Sequence, residues 1–108
     1  MTVNDILKIN DFKSVVLSDG DREVSGVYIG DLLSWVMGKA NSGDAWITIM
    51  SNVNILAVAS LTDCACIILS EGVTLSDEII ETAKEKGINV LSFAKSSFDA
   101  AICLNAMI

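Results

Sequence analysis

Three short polar stretches carry side chains that can bind or react, and each follows an apolar run. Ser51-Asn52, with Asn54 two residues on, follows AWITIM; Ser70-Glu71-Gly72 follows ACIIL; Lys95-Ser96-Ser97 follows INVLSF, whose Ser92 belongs to the same strand exit. Hydroxyls, amides and free backbone N–H groups beside a helix start can hold an anion. The cation of Lys95 next to two hydroxyls makes the third stretch the better anion site, although Asp99 opposes it. Each stretch also has a plainer role, because Ser and Asn are favoured helix caps. Gly72 permits close backbone approach to a ligand. Ser70-Glu71-Gly72 is nevertheless no phosphate-binding loop, which needs a longer glycine run ending in Lys and Ser or Thr.

Other chemistries have less to work with. The chain has no histidine, so the usual general base near neutral pH is missing. Cys64 and Cys66, two apart, would share one face of a strand and with Cys103 could ligate a soft metal. With no histidine and no Cys-x-x-Cys pair, buried thiols are the expectation, and no metal site or cofactor is expected. Asp19 and Asp21 flank a tight turn and read as solvated. The expectation is a protein that is not an enzyme.

The 108 residues are enough for one domain with one core, taken as 1–108. Hydrophobic residues make up 52% and charged residues 19%, which excludes a disordered tail and favours a well-filled core or a buried oligomer surface. A net charge of −7 argues against nucleic-acid binding. Asn52, Asn54 and Asp63 interrupt the longest apolar region, so no membrane span is expected. MTVNDILKIN lacks the basic start of a signal peptide, and three cysteines close no disulfide framework, so a cytoplasmic location is expected.

The elements that must position these groups read as follows. Thr2 caps a short helix, FKSVVL is a strand, and Asp19-Gly20 has the chemistry of a tight hairpin turn leading to a second strand with a bulge at Gly26. Asp31 caps the helix DLLSWVMGKA. Its Leu32, Trp35, Val36 and Met37 exceed what one buried face needs and are the expected interface of a homodimer or a contact for another protein partner. AWITIM, a helix over 51–61, ACIIL, a helix capped by Ser76 and ended by Gly87, INVLSF and a helix capped by Ser96 or Ser97 follow. The expected fold class is α/β: a mixed sheet with an N-terminal antiparallel hairpin and three parallel strands connected by helices, layered α/β/α. Right-handed crossovers would gather all three polar stretches on one rim.

Residues 66–104 resemble the DRTGG domain, a module inserted in some phosphate acetyltransferases and CBS-containing inorganic pyrophosphatases. The likeness lies in strand-CIILSEG, the helix through SDEIIETAKEKGINVLSF, and the Phe-Asp-Ala-Ala helix start. DREVSGVYIGDLLSWVMGKA and AWITIMSNVNILAVA resemble standalone members and the N-terminal domain of HPr kinase/phosphorylase. The resemblance implies a compact α/β regulatory domain without catalytic residues, often dimeric. It also implies an alternative role in binding an adenine nucleotide or dinucleoside polyphosphate. Ser70-Glu71-Gly72 stands where Thr-Gly-Gly would, and Thr62-Asp63-Cys64 stands at the earlier Asp-Arg element without its arginine. A glutamate at the rim disfavours a polyphosphate.

Overall fold

The computed structural model describes residues 1–108. In chain order the elements are α1 (Val3–Leu7), β1 (Phe12–Val16), β2 (Gly26–Ile29), α2 (Leu33–Lys39), β3 (Asp44–Thr48), α3 (Asn54–Thr62), β4 (Cys66–Leu69), α4 (Asp77–Lys86), β5 (Val90–Phe93) and α5 (Ser97–Asn105). The strands form one sheet in the order β1-β5-β4-β3-β2. β2 through β5 are parallel and β1 runs antiparallel to β5. Strands buried on both faces need no polar alternation, which is why DAWIT and CIIL are buried at every position.

Two apolar cores lie on the two faces. Trp46, Ile67, Leu69 and Val90 pack under α2, α3 and α4, while Ala45, Ile47, Cys66, Ile68, Leu91 and Phe93 pack under α1 and α5. The α/β/α layering follows. β1 changes face midway: Phe12 belongs to one core and Val16 to the other, although an even spacing should keep them together. The pairing register slips between Ser14 and Val16, so Val15 is the extra residue of a bulge that turns the strand over.

Local signals set several helix ends. Thr2 and Asp5 exchange bonds in a capping box on α1. Ser76 accepts from the Ile79 amide at the start of α4, and Gly87 closes that helix with φ +69°.

The expected hairpin is not formed, because β1 and β2 lie at opposite edges of the sheet. Neither Asp19 nor Gly20 has the positive φ that a two-residue hairpin turn requires. Instead the buried Asn89 captures the connection. Its Oδ1 accepts from the Ser18 and Asp19 amides, each at 2.8 Å, and its Nδ2 donates to the Asp19 carbonyl at 2.8 Å. The chain then passes beside the N-terminus, with the Val24 amide donating to the Met1 carbonyl, before reaching the far edge. Gly26 is no bulge but a regular partner of Asp44.

Asp31 does not cap α2. Its carboxylate accepts from Thr48 Oγ1 at 2.7 Å and from the Ile49 amide at 2.9 Å, tying the exit of β2 to the exit of β3. Helix α3 starts at Asn54 rather than Ser51, and its N-cap residue, Val53, makes no side-chain capping bond. No helix is long and apolar enough to cross a membrane.

Candidate functional site

Parallel strands put the ends of β3, β4 and β5 at one end of the sheet. The chain leaving β4 crosses toward α4 on one face, and the chain leaving β5 crosses toward α5 on the other. Adjacent exits that part to opposite faces open a crevice between them, where ligands bind in open α/β sheets.

The crevice is narrow because the two exits are zipped together. Ser70, fully buried, lies with its Oγ 2.6 Å from Ser97 Oγ. The Glu71 amide donates to the Lys95 carbonyl at 2.7 Å, and the Gly72 amide to the Phe93 carbonyl at 3.3 Å. Glu71 and Gly72 both have positive φ, 59° and 71°, and the Val73 amide closes the turn on the Ser70 carbonyl at 3.1 Å. Two successive left-handed residues make this a type I′ turn, which suits Gly and strains Glu. Gly72→Ala is expected to lower stability by about 1 kcal/mol. All of that cost is conformational, since a Cβ at Gly72 meets nothing within 4 Å. Glu71→Gly should act oppositely, by about 0.5 kcal/mol, and urea denaturation checks both.

A cleft of about 350 Å³ lies beside this turn, lined by Asp11, Lys13, Gly72, Val73, Thr74, Ser92, Phe93 and Ala94. Of the residues expected to bind a ligand, Gly72 and Ser92 line it. Lys95 is adjacent but engaged, its Nζ 3.4 Å from Asp11 Oδ2. Ser96 Oγ accepts from the Asp99 amide at 3.1 Å, capping α5. Ser51, Asn52 and Asn54 are exposed on the connection from β3 to α3 and line no part of the cleft. There Asn52 Oδ1 accepts from the Asn54 amide at 2.9 Å. Asp11 and Lys13 reach the rim because β1 docks on β5, which a hairpin reading conceals. The signal for them was Asn10-Asp11, a turn pair between a helix and a strand, and Asp11 has φ +74°.

The opposite end of the sheet holds a second polar cluster. Arg22 donates from Nη1 and Nη2 to the Asp63 carboxylate, both at 3.1 Å, and from Nη2 to the Asp63 carbonyl at 3.0 Å. Ser42 adds a further bond to the same carboxylate. The Arg22 hydrogen bond, then that of Ser42, holds the Asp63 carboxyl below its ordinary range. Thr62-Asp63-Cys64 has no arginine in sequence and receives one through space.

Cys64 and Cys66 do not share a face. Cys64 precedes β4 and packs with the core under α3, while Cys66 belongs to the other core. Burial pushes the Cys66 thiol up to about 12. The unfolded chain therefore loses this proton near its ordinary value of 9.0 while the folded chain keeps it. Stability is expected to fall by roughly 1.4 kcal/mol per pH unit from this source as pH rises through that window. A Cys66→Ala variant should lack that part of the slope in denaturation measured against pH. No group of three His, Cys, Asp or Glu residues is placed to hold a metal ion.

The α2 residues divide. Leu32, Trp35 and Met37 are exposed, and Lys39 Nζ sits 4.2 Å from the Trp35 ring centroid. Val36, expected among the interface residues, is fully buried in the core, because it is the position of α2 that turns toward the sheet.

A family model described as the DRTGG domain matches residues 5–107. No curated protein matches the chain. A similar solved structure contains the CBS and DRTGG domains of the regulatory region of Clostridium perfringens pyrophosphatase, complexed with its activator, diadenosine tetraphosphate. The TM-score is 0.72 at 22% identity, which is a likeness of fold. The match covers 94% of this chain and 44% of that one, so the chain spans less than half of the structure it resembles.

Proposed function

The chain belongs to the DRTGG domain family, and from that premise we propose that it is a non-catalytic regulatory and interaction domain acting as a homodimeric adaptor in the cytoplasm. The observation that carries this reading is the amount of large apolar surface left in water. Phe98 and Ile102 are exposed on the face of the sheet that α5 covers, where a second copy would pair, and Leu32, Trp35 and Met37 are exposed on the opposite face, which α2 covers and which is left for another partner. Exposed apolar surface on this scale marks an interaction site. A chain that pairs with itself gains stability by mass action, so its thermal midpoint rises with protein concentration. A midpoint that stays constant across a wide dilution series would contradict the homodimer.

A second reading is favoured by the rim cleft: a sensor of an adenine nucleotide or dinucleoside polyphosphate, in the manner of the pyrophosphatase region that takes diadenosine tetraphosphate. Ser70, Glu71, Gly72, Ser92, Lys95, Ser96 and Ser97 would form its site, with Ser51, Asn52 and Asn54 approaching from the next connection. Lys13, exposed on the cleft wall, would then meet the phosphates. Glu71 opposes them, so Glu71→Gln should tighten diadenosine tetraphosphate and Lys13→Ala should weaken it. Calorimetric titration that detects no heat for any of the three proteins would remove this reading.

A further inference from the structure

The two edges of the sheet are not alike. The outer edge of β1 carries Lys13 and the bulge at Val15, both devices that discourage another strand from pairing there. The outer edge of β2 has neither. The Gly30 amide donates to the Ile47 carbonyl at 3.2 Å, so Gly26 and Tyr28 direct their backbone groups at β3. By alternation, Val27 and Ile29 direct theirs away from the sheet. Beside this edge runs a groove of about 510 Å³ between β2 and α5, lined by Val27, Ile29, Phe98, Ala101 and Ile102 among others. Ile29 is 47% exposed, Phe98 70% and Ile102 51%.

We propose that the β2 edge and its groove against α5 pair with the same edge of a second copy, antiparallel, joining two sheets into one of ten strands. This rests on the homodimer reading above and places its contact. One observation and one symmetry argument select a second copy as the occupant. No side chain lining the groove carries a charge, on a chain of net charge −7 whose charged faces repel each other. A two-fold pairing of β2 with itself keeps Val27 and Ile29 of both copies on one face, beside Phe98 and Ile102 of both.

The test is amide hydrogen exchange on the full chain at high and low concentration, together with light scattering of Phe98→Asp, Ile29→Lys and Trp35→Ala. The expected result is a dimer in which the Val27 and Ile29 amides are protected only at high concentration. Phe98→Asp and Ile29→Lys should each weaken it at least ~30-fold, and Trp35→Ala should leave it intact. Ile29 on the edge strand and Phe98 on α5 are exposed enough that the variants fold, which the circular dichroism spectrum checks. A dimer with Val27 and Ile29 exchanging freely, or one broken by Trp35→Ala alone, would overturn the strand pairing and leave the homodimer standing. Protection that appears only with an unrelated strand-bearing protein would also overturn it. A monomer at every concentration would overturn both.

Discussion

Asn89→Leu is expected to destabilise the fold by about 3 kcal/mol, lowering the thermal midpoint by roughly 15 °C. Asn89 is 4% exposed and makes four hydrogen bonds: two accepted, from Ser18 and Asp19, and two donated, to the Asp19 carbonyl and, at 3.1 Å, to the Ala65 carbonyl. Leucine has similar volume and leaves all four backbone groups without that partner. Asn89→Asp separates the two halves of the effect. It keeps an acceptor for the amides but faces two carbonyl oxygens with an oxygen, so it should be nearly as costly. Thermal denaturation followed by circular dichroism decides, and a loss below about 1 kcal/mol for both variants would mean that the connection holds itself.

Trp46→Ala should cost about 4 kcal/mol. Trp46 is fully buried at the centre of one core, and its Nε1 donates to the Gly30 carbonyl at 2.9 Å, holding the end of β2 against β3. Trp46→Phe keeps most of the volume and loses that bond, so it should cost less than half as much. The expected ranking in urea denaturation is wild type, then phenylalanine, then alanine. A phenylalanine variant as damaged as the alanine one would show that the bond to Gly30, rather than the packing, dominates.

These two residues mark what the amino-acid sequence does and does not disclose. The second half was legible because its signals are local. Ser76, Asp77, Glu78, Lys84, Lys86 and Gly87 sit within one helix and each satisfies that helix's own ends. The continuous apolar runs of β3, β4 and β5 likewise announce strands covered on both faces. In the first half, distant residues override the local turn chemistry. Asp19-Gly20 has hairpin chemistry, but Asn89, about seventy positions away, offers the same backbone more bonds. Asp31 has cap chemistry, yet Thr48 and Ile49 hold its carboxylate. The rim shows the same division. Ser70, Gly72 and Ser97 follow from the parallel exits, whereas Asp11 and Lys13 arrive only through the pairing of β1 with β5.

Sedimentation velocity over a concentration series tests the central claim most directly. A regulatory adaptor that works as a pair predicts a boundary that moves from the monomer mass toward twice that mass as concentration rises. A single species of monomer mass at the highest concentration would contradict it, and the rim cleft would then be the part of the domain left to explain.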